Sequence, residues 1–217
     1  MKADVSLLVR DGPETVFLID DDRDVRDALG GLLRSVHLAV AMFDSVEAFV
    51  ASGSVGAPGC LVLDVRLAGR SGLAFQAELV AQGSQMPVIF ISGHADVDMA
   101  VRGMKLGATD FLTKPLRPQQ LIDAINLALQ RDRARRETER HEAAQRLALD
   151  SLSPREREVL ELIAAGLTNR EAAARLGIIE ATVKAHRGQI MKKLGATTFA
   201  GLMRRVVALG LCPPPIV

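Results

Sequence analysis

The sequence predicts a doubly wound α/β domain on a five-stranded parallel sheet, followed by a helical linker and a smaller all-α domain. Three observations carry this reading. Short apolar runs begin at Val16 (VFLI), Leu38 (LAVAMF), Cys60 (CLVLDV), Pro87 (PVIFIS) and Asp110 (DFLTK), with starts 22, 22, 27 and 23 residues apart. That interval holds one strand, one helix and their loops. The runs are nearly continuous rather than alternating, as in strands buried on both faces of a helix-covered parallel sheet. After Ser151 such runs cease and only helical spacing remains.

Between the strands the spacing is helical, as in Val25, Leu29, Leu32, Leu33 and Val36. Ser45 with Glu47, and Asp96 ahead of MAVRGMKLGA, supply helix entries. From Leu121 the periodicity passes through Ile125 and Leu129 into RDRARRETERHEAAQRLALD, strong helix formers of mixed charge. Residues 14–125 are thus expected to form the first domain, 126–150 a helical linker and 151–212 the second domain. Ser153 caps the next helix, with Pro154 in its first turn and Glu156 completing a capping box. Thr168 and Glu171 repeat the device before a short helix (EAAARL), and Gly177 turns the chain. A basic third helix follows from about Glu180 to Leu194, and a fourth from about Thr198 to Leu209. Short helix, Gly turn and basic helix make a helix-turn-helix. The Pro-rich end cannot continue a helix.

Among 217 residues, 48% are hydrophobic and 24% charged, which excludes disordered and low-complexity classes and leaves a chain able to bury a core. No apolar stretch is long enough to cross a membrane, and Asp4, Arg10 and Asp11 interrupt any signal-peptide core, so the expected location is the cytoplasm. Cys60 and Cys212 build neither a disulfide framework nor a zinc spacing. The overall charge of +1 hides an asymmetry: residues 1–125 hold 11 Lys/Arg against 16 Asp/Glu, and residues 151–217 hold 10 against 5. An acidic head suits cation or phosphate chemistry, and a basic tail suits nucleic acid.

Ligands of open parallel sheets bind beyond the carboxyl ends of the strands, where strand order reverses. Those ends carry Asp20, Asp21 and Asp22, then Asp64, Ser92 and Lys114. Clustered carboxylates tolerate ionisation when a divalent cation joins them, and Mg²⁺ suits a few carboxylates. Asp64 can then attack a phosphoryl donor and form an acyl phosphate. Ser92 and Lys114 would stabilise the phosphoryl oxygens. The bland alternative is that Asp20 and Asp22 merely complement a helix dipole, and that His94 is a surface histidine.

The pieces IDDD, LVLDV, FISGHAD and DFLTKP, in this order and spacing, resemble a CheY-like receiver domain. The resemblance implies that Asp64 is the phosphoacceptor and that Asp20 and Asp21 are metal ligands, with the Arg66 backbone carbonyl as a third protein contact. It further implies that Ser92 is the switch hydroxyl, Phe111 the switch aromatic, and Lys114 the lysine before a cis proline. Arg66-Leu67-Ala68 departs from the usual Met-Pro loop, whereas Gly72 stands in place. A metal-dependent phosphatase is disfavoured, because Arg66 occupies the position where a second acid would stand.

In the basic helix, Thr182, Val183, Lys184, His186 and Arg187 are expected to face bases, and Lys192 and Lys193 the phosphate backbone. The stripe Phe199, Leu202, Val206, Leu209 serves either a dimer contact or the core of its own domain. The segment LSPREREVLELIAAGLTNREAAARLGIIEATVKAHRGQIMKKLGA resembles a LuxR-type DNA-binding domain, so the whole chain resembles a FixJ/NarL-family response regulator, nearer the FixJ branch. By that resemblance Lys184, Ala185 and Gly188 occupy base-reading positions, and Ile179 stands where relatives carry a capping Ser or Thr. The resemblance implies a non-enzymatic transcription regulator phosphorylated by a sensor histidine kinase. It implies dimerisation through the face of helix four and strand five, binding to promoter double-stranded DNA and contact with RNA polymerase, with no membrane partner.

Overall fold

The computed structural model describes residues 12–93 and 97–208. Two compact units divide the chain at Glu139/Arg140. In the first, β1 (Thr15–Ile19), β2 (Val40–Phe43), β3 (Gly59–Asp64), β6 (Val88–Ser92) and β7 (Asp110–Thr113) form one sheet in the order β2-β1-β3-β6-β7. Every pairing in it is parallel. The chain winds outward from β1 in both directions, so strand order reverses between β1 and β3.

Alternate side chains of each strand enter opposite cores, which is why the apolar runs are continuous. Phe17, Ile19, Leu61, Leu63 and Phe90 pack under α2 (Val46–Ala51), α3 (Gly72–Ala81) and α4 (Val97–Lys105) with Phe49, Phe75 and Leu79. Val16, Leu18, Val62, Ile89 and Ile91 pack under α1 (Arg23–Ser35) and α5 (Pro118–Asp150) with Leu29, Leu33, Leu121 and Ile125. The helix entry expected at Asp96 lies outside the described residues, as do His94, Leu209 and Cys212.

Two features depart from expectation. A two-stranded hairpin, β4 (Arg66–Leu67) with β5 (Arg70–Ser71), occupies the loop after β3. Within α5, which continues unbroken through the expected linker, two charged residues, Asp132 (3% exposed) and Arg136 (5%), are buried against the loop before β3. Arg136 Nη2 donates to the carbonyls of Gly56 and Ala57 at 2.8 and 2.7 Å, and Asp132 Oδ2 accepts from Gly59 N–H at 3.0 Å.

The second unit contains α6 (Pro154–Ala164), α7 (Asn169–Leu176), α8 (Glu180–Lys193) and α9 (Phe199–Ala208) around Leu152, Val159, Leu160, Ile163, Ala172, Val183, Ile190, Leu202 and Val206. Both capping boxes form, Ser153 with Glu156 and Thr168 with Glu171. Gly177 ends α7 at φ 64°, the left-handed conformation that glycine adopts without a Cβ penalty. Ile179, the N-cap of α8, provides no side-chain hydrogen bond.

Candidate phosphoryl and DNA sites

The parallel sheet places the ends of β1 and β3 side by side, and with them Asp20 and Asp64. Candidate ligand oxygens of Asp20, Asp21 and Asp64 all lie within 4.8 Å of one another. Backbone amides fix their orientation. Asp20 Oδ1 accepts from Asp22 N–H at 2.9 Å, Asp64 Oδ1 from Arg66 N–H at 3.0 Å, and Asp21 Oδ2 from Ala68 N–H at 3.1 Å. The last bond comes from the β4–β5 hairpin, which the sequence did not announce. Gly72 is needed beneath it, because a Cβ there would stand 2.3 Å from the Asp64 carbonyl oxygen. Asp22 caps α1 through its own carboxylate, as the bland reading had it.

Lys114 closes the pocket, its Nζ standing 2.7 Å from both Asp20 Oδ2 and Asp64 Oδ2. It follows β7 and precedes a cis peptide bond to Pro115. Burial pushes the Asp20 carboxyl above the usual range, with the Lys114 hydrogen bond pulling the other way. Burial also opposes the Lys114 ammonium, but its hydrogen bonds to Asp20 and Asp64 prevail and raise its pKa. Three carboxylates against one ammonium leave a deficit of positive charge, and all-oxygen donors suit a hard divalent cation. The acidic pocket is therefore compatible with divalent metal binding. Ser92 is fully buried at the end of β6, and its carbonyl accepts from Lys114 N–H at 2.7 Å. Phe111 in β7 is half-buried, its ring 6.1 Å from that of Phe90. Cys60 is fully buried with its thiol pushed up to about 12 by that burial, far from thiolate chemistry.

In the second unit α7, its Gly turn and α8 form the helix-turn-helix. Lys184 and Lys192 are exposed on α8, and Thr182 and His186 are half-buried. Val183 does not belong to the base-facing set: it is fully buried in the core, two helical turns before Ile190. Arg187 is also committed inward, donating to Asn169 Oδ1 at 2.5 Å and stacking 4.6 Å over the Phe199 ring. It positions α7, α8 and α9 rather than extending from the unit. Gln189, exposed between Lys184 and Lys192, was overlooked in the sequence. Of the stripe on α9, Leu202 and Val206 fill the core and Phe199 remains exposed, as does Val207 outside the stripe.

Lys193 was expected on a phosphate, but its Nζ donates to Glu156 Oε2 at 2.7 Å and to the Ser151 carbonyl at 3.0 Å. Glu156 is 5% exposed, and the Lys193 hydrogen bond, with that from Ser153 N–H, lowers its carboxyl pKa from 4.5 to about 2. A carboxyl depressed in the folded state contributes stability above pH 4.5 and loses it as pH falls toward 2. Thermal melts between pH 5 and pH 3 should thus show a flatter pH dependence in Glu156→Gln than in the wild-type chain. Parallel slopes would contradict the pairing.

Residues 16–126 match the response regulator receiver domain family, and residues 150–206 match the bacterial regulatory proteins of the luxR family. The chain belongs to the LuxR-type response regulators. It is 47% identical over 196 residues to Nodulation protein W of Bradyrhizobium diazoefficiens, covering 90% of this chain and 86% of that protein. Transcriptional regulatory protein FixJ of Azorhizobium caulinodans is 43% identical over 200 residues, covering 91% and 94%. Among solved structures, the response regulator StyR superposes with a TM-score of 0.86 at 42% identity, covering 91% of this chain and all of that one. This response regulator is thus a two-component transcription regulator and not an enzyme, with a receiver that implies a kinase partner and a second domain that implies DNA. Among its described residues no helix is long and apolar enough to cross a membrane.

Proposed function

We propose that Asp64 is the phosphoacceptor of a switch that controls promoter binding. What supports this is Lys114 Nζ at 2.7 Å from both Asp20 and Asp64, in a carboxylate cluster at the reversal of strand order. An Asp64 carboxylate oxygen attacks the phosphorus of a phosphohistidine on a sensor histidine kinase. The N–P bond breaks, the histidine leaves, and an acyl phosphate remains on Asp64. Lys114 and the Ser92 hydroxyl then hold the phosphoryl oxygens. Mg²⁺, when held by Asp20, Asp21, Asp64 and the Arg66 carbonyl, supplies positive charge against the carboxylates and the incoming phosphoryl group. Ser92 and Phe111 shift, and the face formed by α4 and β7 pairs two copies. The exposed Val97, Val101 and Met104 of α4 suit such a face.

Dimerisation brings two α8 helices to one duplex, raising effective concentration at the second half-site. Thr182, Lys184, His186 and Gln189 face bases, Lys192 takes a phosphate, and the bound dimer contacts RNA polymerase. The exposed apolar residues of α9 contribute to pairing. Acetyl phosphate with Mg²⁺ should retard the wild-type chain on a phosphate-affinity gel and leave Asp64→Asn unshifted, with EDTA abolishing the shift. Retardation of the Asn variant would refute the assignment.

A further inference from the structure

Of the three clustered carboxylates, Asp21 is the least firmly oriented. Asp20 and Asp64 are buried, and each is tied both to a backbone amide and to Lys114. Asp21 is exposed, and the one hydrogen bond that its carboxylate makes among the described residues comes from Ala68 N–H, at the tip of the β4–β5 hairpin. Mg²⁺ demands near-octahedral oxygen geometry, so a carboxylate oriented beforehand holds it more tightly than one that must be ordered on binding. The orientation of Asp21 is therefore only as firm as the hairpin that supplies this amide.

A hairpin with two residues in each strand is too short to hold itself. It is held from outside. Leu67 packs on the core under α2 and α3. Its cross-strand partner Arg70 lays the guanidinium 5.5 Å from the centre of the Phe75 ring, donates Nη1 to Glu47 Oε1 at 3.3 Å and donates Nη2 to Glu78 Oε2. One hairpin side chain thus bridges α2 and α3 with the bidentate reach of a guanidinium. We propose, on the reading that Asp21 is a metal ligand, that Arg70 is a positioning residue for the divalent cation. Its fork between Glu47 and Glu78 fixes the hairpin tip, and Ala68 N–H at that tip holds Asp21 turned toward Asp20 and Asp64. Arg70 is itself a cation and cannot ligate the metal, so it acts through the hairpin. The link can be cut without rebuilding the turn. Gly69 takes φ 83°, as does the third residue of a type II turn, and Ala68 stands at the second, where proline fits and brings no N–H.

Mg²⁺ is titrated calorimetrically into the full, unphosphorylated chain as wild type, Asp21→Ala, Ala68→Pro, Arg70→Met and the double variant Ala68→Pro/Arg70→Met. Ala68→Pro and Arg70→Met should each weaken Mg²⁺ binding about ten-fold, the low end of what losing a group behind a metal ligand costs. The sign is diagnostic, because deleting a nearby positive charge would by Coulomb's law alone tighten a cation. The double variant should bind no more weakly than Ala68→Pro, since both changes act on one bond. Arg70→Lys keeps the charge without the fork and should lie between Arg70→Met and wild type. Without metal, amide hydrogen exchange at Ala68 should accelerate in Arg70→Met toward the rate in Asp21→Ala, where the acceptor is gone. Wild-type affinity in Asp21→Ala would overturn both the ligand assignment and the latch. Weakened binding in Asp21→Ala, with Arg70→Met equal to or tighter than wild type and Ala68 exchange unchanged, would leave the metal site standing and overturn the role of Arg70.

Discussion

Replacing Asp132 with Ala is expected to destabilise the receiver unit by about 3–5 kcal/mol, the cost of breaking a buried ion pair by removing one of its members. Asp132 lies 2.6 Å from Arg136 Nε, also binds Arg135, and accepts the backbone N–H of Gly59. Its removal takes one carboxylate from the buried Arg136 guanidinium, which keeps the Gly56 and Ala57 carbonyls, and leaves the Gly59 amide without its acceptor. Arg136→Ala should cost less, because Asp132 then keeps Arg135 and Gly59, although the carbonyls of Gly56 and Ala57 lose their donor. The double variant Asp132→Leu/Arg136→Met removes both charges and should recover part of the loss, short of the about 1–3 kcal/mol for each backbone group left without a partner, the Gly59 amide and the Gly56 and Ala57 carbonyls. The chain has no Trp or Tyr, so urea titrations are best followed by the methyl resonance of Met86 in the receiver core. A loss below about 1 kcal/mol for Asp132→Ala would show that the pair is solvated.

The same two residues mark where sequence reading stops. Alternate burial along GCLVLD or VFIS needs only local apolarity to be recognised, and the strands follow from it. Asp132 and Arg136 sit in RDRARRETER, where charge reads as solvent exposure; their burial depends on a loop 73 to 80 residues earlier in the chain. Helix continuity was legible there, but the burial of these two residues was not. The β4–β5 hairpin escaped for a related reason. Two-residue strands carry no periodicity, and the hydrogen bond from Ala68 N–H to Asp21 joins residues 47 apart.

The carboxylate cluster was far more legible, since a parallel sheet aligns strand ends and so brings Asp20, Asp64 and Lys114 together. In α8 the reading overreached on Val183, although its seven-residue spacing to Ile190 already marked a core stripe. Arg187 and Lys193 show a different limit. Basic charge on a helix suggests phosphate, but Asn169, Phe199 and Glu156 claim these side chains from within the unit, and no local pattern reveals that.

Lys114→Met should cost about 3–5 kcal/mol in EDTA, because it leaves the fully buried Asp20 and the nearly buried Asp64 without the ammonium that both contact. Two like charges about 4 Å apart repel by roughly 4 kcal/mol at the effective dielectric of a protein surface. Divalent cations and Lys114 answer the same carboxylate charge, so each weakens the need for the other. Added Mg²⁺ should consequently raise the melting temperature of Lys114→Met more than that of the wild type, recovering about 2.7 kcal/mol at a hundred-fold excess over its dissociation constant. Lys105→Met, at an exposed position of α4, serves as the charge-matched control and should behave as wild type. Equal Mg²⁺ stabilisation in all three chains would mean that Lys114 and the cation do not share a site. A larger response in Lys114→Met would locate that site at Asp20 and Asp64 without any phosphorylation readout.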